Sequence, residues 1–98
     1  MYNIDIQSPE FVKCLERGER EAFQRLFEMY HKALCFFATR IVRDSLEAED
    51  IVQDVFLAFW RMDRGGFPNL KTVKTFLYNS VQHRCLNYLR DLEIRDRN

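Results

Sequence analysis

The chain has 98 residues, 47% apolar and 14% aromatic, with 15 basic and 15 acidic side chains that cancel to zero net charge. That length bounds it to one domain around one core, and the composition is that of a globular chain rather than a disordered one. No apolar run approaches the ~20 residues of a membrane span and no charged-then-apolar leader opens the chain, so a soluble, cytosolic protein without membrane insertion is expected.

Met1 to Gln7 reads as a loosely held terminus. Ser8-Pro9-Glu10 then opens a short helix, with Ser as cap, Pro at the first helical position and an acid in the first turn. Phe11, Val12 and Leu15 supply its apolar side, and Gly18 ends it.

A longer helix is expected from Arg20 to Val42. Ala22, Phe23, Leu26, Phe27, Tyr30, Ala33, Leu34, Phe37, Ala38 and Ile41 recur at three- and four-residue steps. Lys32, Arg40 and Arg43 gather towards its end, where positive charge suits the helix dipole. His31 reads as a plain surface residue, with no Cys, Asp or second His at a ligand spacing.

Asp44 to Arg61, DSLEAEDIVQDVFLAFWR, reads as a helix with two jobs. Asp44 or Ser45 can accept the free amides of its first turn, and Glu47 stands at capping-box spacing from Asp44. At about 100° per residue, Ala48, Ile51, Val52, Val55 and Phe59 share a face that packs on a core. The opposite face carries Asp50, Gln53, Asp54, Leu57 and, at its edge, Trp60. One reading is a solvated acidic face with Trp60 under a neighbouring loop. The other is a docking surface, a large apolar group ringed by polar ones.

Met62-Asp63-Arg64-Gly65-Gly66-Phe67-Pro68-Asn69 is a mobile loop by composition. Arg64, Phe67 and Asn69 can serve a ligand there, or the loop is a simple connection. The last helix is expected from Leu70 to Leu92, capped by Asn69 or Thr72. Val73, Leu77, Val81, Cys85, Tyr88, Leu89 and Leu92 form its inner stripe. Its outward face reads Phe76, Asn79, Ser80, His83, Asn87 and Arg90. Amides suit base edges, an aromatic can stack on an unpaired base, and the flanking Lys71, Lys74 and Arg84 can hold phosphates. An ordinary polar face remains the alternative. EIRDRN, beyond Leu92, reads as the start of a linker cut short. The expected organisation is a loose terminus over 1–7, a helical domain over 8–92, and that linker over 93–98.

Charge is not evenly spread. Asp44 to Phe56 holds five acids (Asp44, Glu47, Glu49, Asp50 and Asp54) and no base. Arg61 to Arg90 holds six bases (Arg61, Arg64, Lys71, Lys74, Arg84 and Arg90) against one acid, Asp63. Such asymmetry suggests two partners of opposite character. Cys14, Cys35 and Cys85 lack the paired spacings of disulfides or a zinc site, so reduced, buried thiols are expected, with no metal and no cofactor. No strand is needed, and no catalytic constellation is recognisable, so no enzyme is expected. The fold class is all-α, a compact bundle of three main helices plus a short N-terminal one.

The chain resembles region 2, the promoter-recognition domain, of bacterial sigma factors of the extracytoplasmic-function (ECF) type. The resemblance runs from Glu21-Ala22-Phe23 through Tyr30, then Ala48-Glu49-Asp50-Ile51-Val52-Gln53-Asp54-Val55-Phe56, Thr75-Phe76-Leu77-Tyr78 and Asn87-Tyr88-Leu89-Arg90. AEDIVQDVF, with Trp60 behind it, is its most specific part.

The resemblance implies that Asp50, Gln53, Asp54, Phe56 and Trp60 contact core RNA polymerase at the clamp helices of β′. It also implies that the loop Asp63–Asn69 and the helix after it open and read the minus-ten promoter element. A base of the non-template strand would be flipped into a pocket formed by the loop and the helix start. The DNA-binding set would be Asn69, Lys71, Lys74, Phe76, Asn79, His83, Arg84, Asn87 and Arg90, and an anti-sigma factor is a further expected partner. Family members usually carry Trp at Phe76 and commonly Asn at His83. Phe76 keeps a π-face, whereas His83 presents a different geometry to a base. Basic residues before Phe67 are fewer than in some members. The family's second domain, a helix-turn-helix, is absent from this sequence, which implies one domain of a longer protein that alone does not initiate transcription. A helical adaptor that binds only protein is the alternative from another class.

Overall fold

Four helices follow one another in residues 9–97, the part of the chain that the computed structural model describes. They are α1 (Pro9–Glu16), α2 (Arg20–Val42), α3 (Ser45–Arg61) and α4 (Leu70–Asp96). The expected Ser8 cap and the terminus over 1–7 lie outside the described residues. The all-α expectation holds, with no strand among the described residues.

α1 buries Phe11, Val12, Cys14 and Leu15. It stops because Gly18 turns into the left-handed region at φ 76°. The turn is closed by the Gly18 N–H donating to the Leu15 carbonyl at 3.0 Å and the Glu19 N–H to the Cys14 carbonyl at 3.1 Å. This paired pattern is a Schellman close, which favours glycine. A Cβ here would also lie 2.8 Å from a guanidinium nitrogen of Arg64.

α2 has the span that its periodicity predicts, and it packs against all three other helices. Leu26, Leu34, Ala38 and Val42 are buried along it. Ala33, assigned to the same stripe, is exposed. Arg43 closes the helix in the left-handed region at φ 60°, its N–H donating to the Thr39 carbonyl at 2.8 Å. Asp44 then caps α3, its carboxylate accepting from the Leu46 and Glu47 amides at 3.0 and 3.1 Å. A carboxylate at that end also suits the helix dipole.

α3 buries Ala48, Ile51, Val52, Val55 and Phe59, the inner stripe that periodicity assigns, and Phe56 as well. α4 begins with a capping box: Asn69 Oδ1 accepts from the Thr72 amide at 2.9 Å, and the Asn69 amide donates to Thr72 Oγ1 at 3.4 Å. Val73, Leu77, Val81 and Cys85 are buried, while Tyr88, Leu89 and Leu92 are half-buried. The helix continues to Asp96, past the Leu92 boundary that periodicity suggested, and its last turn is exposed. At about 1.5 Å per residue it spans roughly 40 Å, which accounts for much of the 52 Å long axis of a body 23 and 19 Å across.

Every buried side chain among the described residues is apolar or a thiol. The expected thiols are free; Cys14 and Cys85 are buried and Cys35 half-buried. Burial raises the pKa of Cys85, and burial followed by the nearby Glu49 charge raises that of Cys35, so both favour the protonated form.

Candidate functional site

The outer face of α3 is built as the spacing predicts. Asp50, Gln53 and Asp54 are exposed, and Leu57 lies among them with 48% of its surface open. Trp60 keeps 37% exposed; its other side rests on Phe23 of α2 at 4.7 Å between ring centroids. Neither sequence alternative describes it fully: the indole is a rim residue, part packed and part presented.

Phe56, assigned to the same contact set, is different. It is only 2% exposed, held by Phe27 at 4.9 Å and Phe23 at 6.2 Å. It belongs to the core, because one turn after the buried Val52 it meets Phe23 and Phe27 of α2 rather than solvent. Its small open area forms the floor of a shallow apolar groove of about 220 Å³, walled by Phe23, Phe27, Gln53 and Leu57. Phe23 and Phe27 belong to the α2 stripe and to the stretch that carries the resemblance, with no wall of a groove expected of them. Their four-residue spacing puts both on one side of α2, where each ring meets Phe56.

Arg64 accounts for the end of this helix. Its Nε donates to the Leu15 carbonyl at 2.6 Å, and Nη1 to the Phe59 and Met62 carbonyls at 3.3 and 3.2 Å, and to that of Trp60. The guanidinium also lies 5.2 Å from the Trp60 ring centroid. One side chain thus joins the Gly18 amide on the Leu15 carbonyl at the end of α1 and takes up carbonyls at the end of α3. Arg64 has a structural role in the connection, with Nε and Nη1 engaged by backbone carbonyls. The loop is tied down there, and again where Asp63 accepts from the Gly65 amide at 3.0 Å.

The face of α4 departs further from expectation. Phe76 is half-buried rather than fully outward. It packs at 6.0 Å on Phe59 and edge-on at 5.5 Å to Phe67, which itself sits 5.9 Å from Phe59. Phe59 belongs to the core, and Phe67 and Phe76 pack against it under the loop, so Phe67 is also structural. Asn69 uses its carbonyl oxygen as a cap, leaving its amide nitrogen as the group able to donate elsewhere.

Lys71, Lys74, Asn79, His83, Arg84 and Arg90 are exposed, and Asn87 is half-buried. Among the described residues Lys71, Lys74 and Arg84 enter no ion pair, while Arg90 stands 4.0 Å from Asp91 with both open to water. Phe76, Ser80, His83 and Arg84 come together with Val55 and Ala58 of α3 around a depression of about 240 Å³. Its floor is apolar and its rim carries hydroxyl, imidazole and guanidinium groups. Lys71 and Lys74 lie towards the start of the same helix.

His31, read as a plain surface residue, is half-buried. Its ring stacks on Phe27 at 4.4 Å, and Nε2 lies 3.6 Å from Cys35 Sγ. No group of three or more metal-ligating side chains gathers among the described residues. No helix there is long and apolar enough to cross a membrane.

These features define a helical binding module with an acidic, apolar-centred face on one helix and a basic, amide-bearing face on the next. The sigma-70 region 2 family model matches residues 26–94, and the chain belongs to that family. RNA polymerase sigma-H factor of Pseudomonas aeruginosa is 29% identical over 83 residues, covering 85% of this chain and 42% of its own. The ECF RNA polymerase sigma factor SigM of Mycobacterium tuberculosis is 36% identical over 73 residues, covering 74% of this chain and 37% of its own. The chain therefore spans about two fifths of the length of these curated relatives. No solved structure matches it.

Proposed function

We propose that this domain docks on core RNA polymerase through α3 and recognises and melts the promoter minus-ten element through α4. The observation that carries it is the division of the surface. Leu57 and Trp60 stand open within a ring of Asp50, Gln53 and Asp54, while the neighbouring helix presents Lys71, Lys74 and Arg84, in no ion pair among the described residues, beside amides and an imidazole. The first is the form of a protein contact and the second of a nucleic-acid contact.

On the polymerase side, Asp50, Gln53, Asp54 and Trp60 would meet the β′ clamp helices, with Phe56 holding the groove floor beneath them. On the DNA side, Lys71, Lys74, Arg84 and Arg90 hold phosphates of the non-template strand. Asn79, His83 and Asn87 take the base edges, and Asn69 offers only its amide nitrogen. Phe76 supports the surface from below rather than stacking on a base. Capture of an unstacked base offsets the few kcal/mol that unpairing costs. An anti-sigma factor would act by covering either face. Such a protein works in the cytoplasm, and nothing in this division of labour requires enzymatic chemistry.

The test is a titration of labelled non-template strands carrying each base in turn at the flipped position. Lys71→Ala or Arg84→Ala should weaken every strand about equally and reduce the salt slope by roughly one counterion. His83→Ala or Asn87→Ala should cost about 1–3 kcal/mol on the preferred strand and less on the others. Equal losses on all four strands would show that α4 holds backbone and reads no sequence. Absence of salt-dependent binding altogether would favour the protein-only adaptor.

A further inference from the structure

The face of α2 turned away from α3 holds an apolar feature that neither binding face uses. Phe36 is 69% exposed. Adjacent residues on a helix point about 100° apart, and Phe37 takes the inward direction, packing edge-on to Tyr78 of α4 at 5.2 Å. Met29, Ala33, Phe36, Phe37 and Tyr78 wall an open groove of about 670 Å³. A second depression of about 450 Å³ continues from Phe36 to Thr39 and Arg43.

The rim is positively charged. Lys32 and Arg40 border the groove and Arg43 the depression beyond it, against one acid, Glu28. None of the three bases enters an ion pair among the described residues. Cations near a helix C-terminus suit the dipole, which explains Arg40 and Arg43 but not a phenylalanine left in water between Lys32 and Arg40.

We infer that this groove docks an acidic amphipathic helix of a partner protein. From Met29 to Arg40 the wall runs roughly 16 Å along α2, enough for about three turns of a partner. Its apolar residues would enter at i, i+4 and i+7, as helix-in-groove recognition requires. Acidic side chains flanking that stripe meet Lys32, Arg40 and Arg43, so charge sets the partner's sign while the groove supplies contact area. A single strand of nucleic acid fits less well. The Phe37 and Tyr78 rings are locked against one another, which leaves Phe36 as the one open stacking surface in the groove.

The experiment uses the 98-residue chain and a panel of fluorescent 16-residue helical peptides. Each has Leu or Phe at i, i+4 and i+7 in one of three registers, flanked by Glu. Matching Lys-flanked and scrambled peptides are controls, and anisotropy reports binding. At least one Glu-flanked register should bind at least tenfold more tightly than its controls. Phe36→Ser and Arg40→Glu should each reduce that binding tenfold or more while the melting temperature stays within about 2 °C. Leu57→Ser on α3 should leave it unchanged.

The idea is overturned if no Glu-flanked register exceeds its controls, or if Phe36→Ser binds as the parent does. It is also overturned if a twelve-residue oligothymidine displaces the peptide from this groove at lower concentration. Sedimentation of the chain alone provides the remaining arm: a dimer abolished by Phe36→Ser would make a second copy the occupant instead. Loss of strand binding in the promoter titration would leave all of these outcomes unaffected, because no α4 reading residue enters them.

Discussion

The outer faces of α3 and α4 both carry candidate contacts, yet the fold treats them differently. On α3, Asp50, Gln53 and Asp54 all lie in water, as a helical wheel places them, and Phe56 alone turns inward. On α4, Phe76 is drawn into a cluster with Phe59 and Phe67, and Asn69 is engaged as a cap. Carboxylates resist burial strongly enough that periodicity alone locates them. Aromatic rings and amides suit both solvent-facing and structural roles, so their neighbours decide. A charged residue on a helix wheel is thus a safer pointer to surface than an aromatic one.

The largest effect should come from the ring beneath the α4 face. Phe76→Ala should cost about 2–3 kcal/mol of stability, since it opens space beside Phe59 and Phe67. For a domain of this size that lowers the melting temperature by more than about 8 °C, while Phe76→Leu should retain most of it. An unchanged melting curve for Phe76→Ala would make the ring a surface reader after all and erase the contrast between the two helices.

The α3 face should respond in binding more than in folding. Asp54→Ala combined with Trp60→Ala should lose about 2 kcal/mol of affinity for core polymerase, as hot-spot truncation does. Trp60 also leans on Phe23 and lies beneath Arg64, so roughly 1 kcal/mol of stability should go with it. Separating the two readouts takes chemical denaturation alongside a polymerase pull-down at a temperature where the variant is fully folded. Binding that survives in the folded variant places the docking contact elsewhere.

A smaller effect distinguishes cap from reader at the start of α4. Asn69→Ala should cost about 1 kcal/mol of stability, and Asn69→Asp or Asn69→Ser should recover most of it, because each supplies a capping oxygen. If Asn69→Ser restores folding yet still binds the promoter strand weakly, the amide nitrogen is a contact as well as a neighbour of the cap. The smallest stability change is expected at Lys74→Ala, within about 0.5 kcal/mol, because the side chain is exposed and enters no ion pair among the described residues. Its signature is a lower salt slope for strand binding.

Local signals carried the frame of this molecule. Period, caps and breakers placed α2 from Arg20 to Val42 and narrowed the caps to Asp44 or Ser45 before α3 and Asn69 or Thr72 before α4, because these depend on backbone amides a few residues away. The inner stripe of α3 followed from the wheel, since burial there needs only one wide apolar face. The acidic and basic segments were legible for the same reason, charge being read directly from composition.

What only the tertiary structure decided involves partners distant in the chain. Arg64 reaches the Leu15 carbonyl, 49 residues earlier, and so ties the loop to α1. Phe23 of α2 receives Trp60 of α3, and Phe67 and Phe76 close over Phe59. None of these has a periodic signature, because each depends on which surfaces meet when four helices pack, and a side chain with both polar and apolar atoms takes its role from that meeting. The sequence by itself determined where the helices run and where the charge lies; packing determined which aromatics and amides on those helices remain free to bind.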